Sequence, residues 1–276
     1  MALRHVATRM ISPNPLRTAA AALGLLLALL APPGSLAAQS ARPATVVAFG
    51  LFGEQSVFES EAKGAARIVA DRFGVAKTIV RANTKTRADA TIRTLAATLK
   101  SAGRAMDAEH EVLFLILTSH GSPAGLAVEA GSRREMLSPS ALAAMLDAAG
   151  VRRRVVIISA CYSGVFIPAL ANADTLVITA ADADHPSFGC RDGAEWTYFG
   201  DAFFNVALRR TANLREAFAL ARTLVRKRER QDGFAASNPQ IAGGENVEPL
   251  PRSTMAMPAP RAVPTPGSGA VQFAPR

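Results

Sequence analysis

The sequence predicts an α/β domain with a mostly parallel β-sheet and helices on both of its faces. Apolar, β-branched segments alternate with segments of helical periodicity, as in repeated β-α-β units. The central apolar segments have no polar side, as expected for parallel strands buried on both faces. Five strands follow from this pattern: Ala44–Gly50, Ala76–Ala82, Glu111–Ser119, Arg153–Ser159 and Asp174–Ala180.

Capping residues and glycines delimit several of the predicted helices. A serine before a periodic run is a favoured N-cap, proline is favoured at the first helical position, and glycine ends a helix. The predicted helices are Ser56–Gly74 with Ser56 as cap, Ala88–Ala102 ending at Gly103, a helix from Pro139 capped by Ser138 and stopped at Gly150, and two closing helices, Asp201–Arg210 and Leu214–Glu229.

Residues 1–38 have the pattern of a signal peptide. Three arginines precede an apolar stretch, Ala19–Ala31, that is short for a membrane span, and the small residues of "SLAAQS" follow. Cleavage is expected after Ala37 or Ala38. The pattern predicts an exported protein, periplasmic or secreted, and an uncleaved N-terminal membrane anchor is the alternative.

The other end of the chain changes composition at about Val247. Residues 247–276 are rich in proline and lack periodicity, so they are predicted to form a disordered or extended tail. The predicted organisation is therefore a signal peptide (1–38), one domain (44–246) and this tail.

The chain is basic, with a net charge of +9 that falls to about +6 when the three arginines of residues 1–38 are removed. Arg152–Arg154 and the segment Arg222–Arg230 carry much of this charge. Aromatic residues are not interleaved with them, so a solvated helix face is favoured over a nucleic-acid site. Peripheral contact with an anionic membrane is a weaker alternative, and no obligate partner is indicated.

Two reactive residues follow neighbouring strands of the predicted sheet. His120 follows the third strand in "LFLILTSHGSPAG", and Cys161 follows the fourth in "VVIISACYSG". A single β-α-β crossover joins these strands, so both residues are expected at the carboxyl edge, where open parallel sheets bind ligands. A thiolate nucleophile needs such a base beside it. A buried, inert core cysteine is the alternative.

The surroundings of Cys161 fit acyl-transfer chemistry. The main-chain amides of Gly121 and Cys161 can stabilise an oxyanion, and this chemistry needs no cofactor or metal. The only other cysteine is Cys190, which is either free or joined to Cys161 in a disulfide. Walker, G-x-S-x-G and metal-ligand motifs are absent from the sequence.

Three motifs in register resemble the legumain-type cysteine peptidases, peptidase family C13, which share the caspase-like fold. The motifs are "TSHGS", "SACYSG" and "TAADADHPSFGCRDGAEWTYFGDAFF", and the resemblance covers residues 45–204, most closely to the exported bacterial branch. It implies an endopeptidase acting on peptides or proteins through an acyl-thioester, with Cys161 as nucleophile and His120 as general acid–base. Gly121 and Cys161 would form the oxyanion hole.

The resemblance extends only partly to the S1 pocket, which binds the P1 side chain. It implies that Ser187 and Asp201 line this pocket, and Ser159 stands where the family has an acidic residue. The family's pocket arginine has no counterpart after the first strand, so asparagine and basic P1 preferences both stay open. Asp201 could equally be a helix N-cap. A transamidase or ligase with the same Cys–His pair, and an inactive peptide-binding relative, are the alternative functions.

Overall fold

The computed structural model describes residues 44–247 and residue 250, and two sheets run through this part of the chain. The ten strands are β1 (Ala44–Gly50), β2 (Lys77–Thr84), β3 (Arg87–Ala88), β4 (Val112–Thr118), β5 (Gly121–Ser122), β6 (Gly125–Ala130), β7 (Arg133–Leu137), β8 (Arg153–Ser159), β9 (Thr175–Thr179) and β10 (Gln240–Ala242). The main sheet has the order β10-β9-β8-β4-β1-β2-β3. Its inner five strands are parallel, and β3 and β10 are antiparallel edges.

Helices cover both faces of the main sheet, as the sequence predicts. They are α1 (Ser56–Phe73), α2 (Ile92–Ala105), α3 (Pro139–Ala149), α4 (Ile167–Leu170), α5 (residues 198–210) and α6 (Leu214–Gln231). The apolar sides of α1, α5 and α6 pack on one face, and those of α2, α3 and α4 pack on the other. Strands β1, β4 and β8 supply alternate side chains to the two cores, which is why they are apolar throughout.

The predicted cap at Ser56 is wrong, because Gln55 is the N-cap position of α1 and Ser56 is its first residue. Two predicted helix starts are also wrong, and local capping explains both. Helix α2 begins four residues later than predicted, because the Thr91 side chain accepts from the Thr94 amide in a capping box and Arg87–Ala88 pair with β2. Helix α5 begins at Tyr198 rather than Asp201, because Thr197 is its N-cap and accepts from the Gly200 amide at 2.9 Å. Its middle, Asp201–Ala207, is a π-helical segment.

A small antiparallel sheet, β5-β6-β7, directly follows β4 and is absent from the sequence prediction. Its central strand is buried, whereas four of the five residues of β7 are exposed. The strands are short and joined by tight turns, so their periodicity is weak. Gly121 in β5 pairs with Leu126 in β6, and this pairing fixes the chain immediately after His120.

The predicted signal peptide (1–38) lies outside the described residues, and so does nearly all of the predicted tail (247–276). In the described part of the chain, no helix has the length and apolarity needed to cross a membrane.

Candidate active site

His120 and Cys161 lie side by side in the sheet register. Strands β4 and β8 are adjacent and parallel, and their last pair is Thr118 with Ser159. Each of the two candidate residues stands two positions beyond this pair. The sequence-based expectation that both lie at one carboxyl edge of the sheet is therefore confirmed.

Gly121 packs directly against the main chain of Cys161. A Cβ atom at position 121 would lie 2.1 Å from the Cys161 carbonyl oxygen, so only glycine fits there without a backbone shift. The Ser119 amide also donates to the Ser159 carbonyl at 3.2 Å, which extends the strand pairing toward the site. The two predicted oxyanion donors thus belong to backbone segments in contact.

The chain turns sharply after Cys161. Tyr162 has a left-handed conformation with φ of 53°, which is unfavourable for a bulky side chain and is found mostly where function or a turn requires it. Its amide donates to the His185 carbonyl at 2.9 Å, and the Gly164 amide donates to the Asp182 carbonyl at 3.3 Å. These bonds hold the turn that leaves the Cys161 thiol at the edge of the sheet.

The Cys161 thiol is half-buried and surrounded by hydrogen-bonding groups. The Ser187 amide donates to Sγ at 3.2 Å, the Ser187 hydroxyl lies 3.8 Å from Sγ, and the thiol donates to the Ser187 carbonyl at 3.3 Å. The Cys190 thiol also hydrogen-bonds to Cys161. This last bond is the largest of the effects that lower the pKa of Cys161 to about 6, against the opposing effect of burial.

Both cysteines are free thiols. Their juxtaposition follows from the loop after β9, which carries Ser187 and Cys190 over the end of β8. The hydrogen bond to Cys161 and, after it, burial raise the pKa of Cys190, so Cys190 stays protonated and can donate to the Cys161 thiolate.

The His120 ring is held between two phenylalanines and a glutamine. Its centroid lies 4.6 Å from the Phe52 ring and 5.0 Å from the Phe58 ring, both edge-on. Its Nε2 donates to the Gln55 side-chain oxygen at 2.7 Å. Burial lowers the pKa of His120 and the charge of Glu129 partly opposes this shift, so the ring is neutral near pH 7.

His185, the second histidine near the turn, pairs with Asp182 rather than with Cys161. His185 Nδ1 lies 2.7 Å from a carboxylate oxygen of Asp182, and its carbonyl accepts from Tyr162. Its backbone therefore shapes the site while its ring pairs with a surface carboxylate.

A fully buried carboxylate, Glu61 of α1, lies beneath the strand ends. It accepts from the Thr118 hydroxyl and from the Thr197 amide, each at 2.8 Å, and it also hydrogen-bonds with Ser159. Burial raises the pKa of Glu61 in spite of these bonds. Glu61 thus joins α1, β4, β8 and the start of α5 around one acceptor.

The three predicted pocket residues lie at different depths. Ser187 contacts Cys161 directly, whereas Ser159 is buried and bonds to the Thr197 hydroxyl at 3.1 Å. Asp201 is not the N-cap of its helix, since Thr197 is; this alternative is wrong because the helix starts three residues earlier. The Asp201 carboxylate accepts from Asn205 at 2.9 Å and lies 3.6 Å from Arg228 Nη1.

A family model for the peptidase C13 family matches residues 84–246 of the chain. The chain belongs to this family of cysteine peptidases. Among solved structures, the chain is similar to caspase-1 from Spodoptera frugiperda, with 16% sequence identity and a TM-score of 0.51 over 74% of this chain and 87% of that one. The fold is therefore caspase-like, as the motifs imply. A search of curated proteins found no significant match.

Several residues of this C13 peptidase site have no sequence signal of the kind that marks His120 and Cys161. Gln55, Phe52 and Glu61 precede the region matched by the family model. Glu61 has a weak signal, because it occupies a core position in the apolar stripe of α1 where a charged residue is unusual. In residues 44–247 no cluster of three or more potential metal ligands occurs.

Proposed function

We propose that the protein is an endopeptidase in which Cys161 attacks the peptide carbonyl and His120 transfers the proton. The observation that carries this proposal is the matched position of the two residues beyond the Thr118–Ser159 pair, with Gly121 packed against the Cys161 main chain. A thiol with a pKa of about 6 is largely ionised at neutral pH, which is the state that attacks.

The proposed reaction has two steps and needs no cofactor. Cys161 Sγ bonds to the carbonyl carbon, and the resulting oxyanion is stabilised by the main-chain amides of Gly121 and Cys161. His120 Nδ1 takes up a proton, from the Cys161 thiol or from solvent, and delivers it to the departing amine, which leaves a thioester on Cys161. His120 then removes a proton from water, and the water hydrolyses the thioester and frees the thiol.

Gln55 supports this role for His120. Because an amide oxygen only accepts, Nε2 carries the proton in the 2.7 Å bond to Gln55, and Nδ1 is left with the lone pair that proton transfer requires. The rings of Phe52 and Phe58 restrict rotation of the imidazole. Gln55 is therefore proposed as a positioning residue.

Matched substitutions test the two catalytic assignments. Cys161→Ala and His120→Ala should each lower kcat by several orders of magnitude on a fluorogenic peptide, as expected for members of one catalytic unit. His185→Ala is the control for His120, because its ring bonds to Asp182. Comparable losses for His120→Ala and His185→Ala, or full activity of Cys161→Ala, would overturn the proposal.

We also propose that the P1 residue is asparagine, and a chain of contacts supports this. Ser187 touches Cys161, the next residue Phe188 packs near Tyr198, and the Arg228 guanidinium stacks on Tyr198 at 4.0 Å. Arg228 in turn lies 3.6 Å from Asp201. An asparagine amide needs both an acceptor and a donor, and this pair offers a carboxylate and a guanidinium together.

The pairing with Arg228 also disfavours a basic P1 residue, because the Asp201 charge is already balanced. The test compares peptides with Asn, Asp, Arg or Lys at P1. Asp201→Asn should lower kcat/KM for the asparagine peptide by at least about tenfold, or 1.4 kcal/mol, with little change in Tm since Thr197 caps the helix. Arg228→Gln should also lower it, with Arg222→Gln on the same helix as control. A wild-type preference for Arg or Lys would refute the asparagine assignment.

Export of the domain remains a proposal based on residues 1–38 alone. Expression of the full chain followed by N-terminal sequencing should locate the start of the mature protein at residue 38 or 39 if the signal peptide is removed after Ala37 or Ala38. Recovery of an intact N-terminus in the membrane fraction would favour the anchor.

A further inference from the structure

The two cysteines of the chain meet at the proposed active site, although the proposed reaction uses only one of them. Cys161 and Cys190 are both free, half-buried and hydrogen-bonded to each other. A second thiol is not required for acyl transfer, which needs one nucleophile, one base and oxyanion donors. A thiol pair with partial solvent access is instead an arrangement found in cysteine redox sites.

The loop carrying Cys190 is anchored on both sides of the thiol pair. The Ser187 amide donates to Cys161 Sγ at 3.2 Å, and the Tyr198 amide donates to the Phe188 carbonyl at 3.0 Å. Between them, Gly189 has a φ of 91°, and a Cβ there would lie 2.5 Å from the Tyr198 ring. The loop that carries Cys190 is therefore held in place on both sides of this residue.

We propose that Cys190 is a resolving cysteine, which forms a reversible disulfide with Cys161 after a hydroperoxide has oxidised the Cys161 thiolate. The inference rests on the proposed function, because it takes Cys161 to be the nucleophile of the peptidase. The disulfide switches the peptidase off and protects Cys161 from irreversible oxidation. The oxidant is a small hydroperoxide, since the thiol is only partly accessible.

The chemistry balances in two steps. The Cys161 thiolate attacks one peroxide oxygen, an S–O bond forms, the O–O bond breaks, and the departing oxygen takes a proton to leave as water or an alcohol. Cys161 is now a sulfenic acid, oxidised by two electrons. Cys190 sulfur then attacks Cys161 sulfur, the S–S bond forms, and the hydroxide that leaves takes the Cys190 proton to become water. A dithiol reductant returns the two electrons and restores both thiols.

The electrostatics of the pair favour this order of events. In the reduced site the Cys190 pKa is raised, partly by the adjacent Cys161 charge, so Cys190 stays protonated. The first oxidation replaces the Cys161 thiolate with a neutral sulfenic acid, which removes that charge. The pKa of Cys190 then falls, and Cys190 becomes a better nucleophile when its target has formed.

The test uses the purified full chain, reduced and then treated with graded hydrogen peroxide. Peptidase activity and intact mass are followed before and after dithiothreitol, for the wild type and for Cys190→Ser, each relative to its own untreated activity. The activity of the wild type should fall at least tenfold, and its mass should decrease by about 2 Da, because two hydrogens are lost when a disulfide forms. Dithiothreitol should restore most of the activity. Digestion should give a peptide linking Cys161 to Cys190.

Cys190→Ser should instead gain about 32 Da as a sulfinic acid and should recover little activity. Absence of the linked peptide in the wild type, or equal recovery of both proteins, would overturn the resolving role. Mass measurement separates this failure from failure of the proposed function. Full peptidase activity of Cys161→Ser with a normal linked peptide in the wild type would disprove the nucleophile assignment, and with it the switch, while showing that the disulfide itself forms.

Discussion

Glu61 provides a sharp test of how the site is held together, because one buried carboxylate serves several elements. Glu61→Leu keeps a side chain of comparable size and removes both oxygen acceptors. The Thr197 amide and the Thr118 hydroxyl each bond to Glu61 at 2.8 Å and would lose their partner in the interior. The Ser159 hydroxyl would also lose its bond to Glu61, but it keeps its bond to the Thr197 hydroxyl.

The expected loss follows from these two donors. A buried donor left without an acceptor costs about 1–3 kcal/mol, so the loss of two acceptors in Glu61→Leu should lower the free energy of unfolding by about 2–6 kcal/mol. For a domain of this size, about 1 kcal/mol shifts Tm by roughly 2–4 °C, so a decrease of about 4–24 °C is expected. Activity should fall as well, because Thr118 and Ser159 are the last residues of the strands that position His120 and Cys161.

Glu61→Gln is the matched variant, and it adds a pH dependence. Its amide oxygen can accept from Thr197, and its NH₂ group can donate to the Thr118 or Ser159 hydroxyl after the hydroxyl rotates. Burial raises the pKa of Glu61 above its usual 4.5, so the native state binds its proton more tightly than the unfolded chain does. The resulting stability is fully present below about pH 4.5 and is lost as the pH rises through the folded-state pKa.

Thermal unfolding followed by circular dichroism from pH 4 to pH 8 measures both effects. The Tm of Glu61→Gln should rise relative to the wild type as the pH increases, since glutamine does not ionise. Glu61→Leu should melt lower than both throughout. A constant difference between glutamine and wild type, or a leucine variant as stable as the wild type, would refute the reasoning.

Three further predictions concern the proposed active site. The rate of Cys161 alkylation by iodoacetamide should rise with pH through a midpoint of about 6. Cys190→Ala should move this midpoint upward, because the variant loses the hydrogen bond that most stabilises the Cys161 thiolate. An unchanged midpoint in Cys190→Ala would contradict this prediction. Gln55→Leu should lower kcat about 3- to 10-fold with little change in KM, because it removes one hydrogen bond to His120. Gln55→Glu keeps an acceptor and should shift the pH profile of kcat upward. Equal pH profiles for the wild type and both variants would rule out a positioning role. Gly121→Ala should lower kcat at least about tenfold with KM nearly unchanged, because its Cβ would lie 2.1 Å from the Cys161 carbonyl oxygen. The control is Gly131→Ala, whose Cβ meets nothing within 4 Å; its φ of 63° makes alanine cost some stability, but its activity should be kept.

The sequence was informative about the sheet because the relevant signals are local. The apolar runs that become β1, β4 and β8 are long enough to be recognised, and the positions of His120 and Cys161 after two of them predict their meeting. The caspase-like fold and the C13 family were also predictable, since three motifs occur in one order. The strands, the fold and the family are each encoded by short, local segments of the sequence.

The remaining site residues depend on long-range packing. Gln55 reaches a histidine 65 residues away, and Glu61 bonds to groups 57 and 136 residues away, which no short motif encodes. The contact of Cys190 with Cys161 follows from a loop whose path is set by tertiary hydrogen bonds. The sequence does not reveal the helix start at Thr197, because Asp201, also a good capping residue, lies within the first turns of the same helix.

The register of β4 and β8 has a further consequence for how the enzyme tolerates change. Seven consecutive residue pairs join these strands, and both are buried over nearly their whole length. A slip of one residue would turn Cys161 to the opposite face of the sheet, so main-chain hydrogen bonds in the core set the separation of the proposed nucleophile and base. Surface loops can then vary in length and sequence while the distance between Cys161 and His120 stays the same.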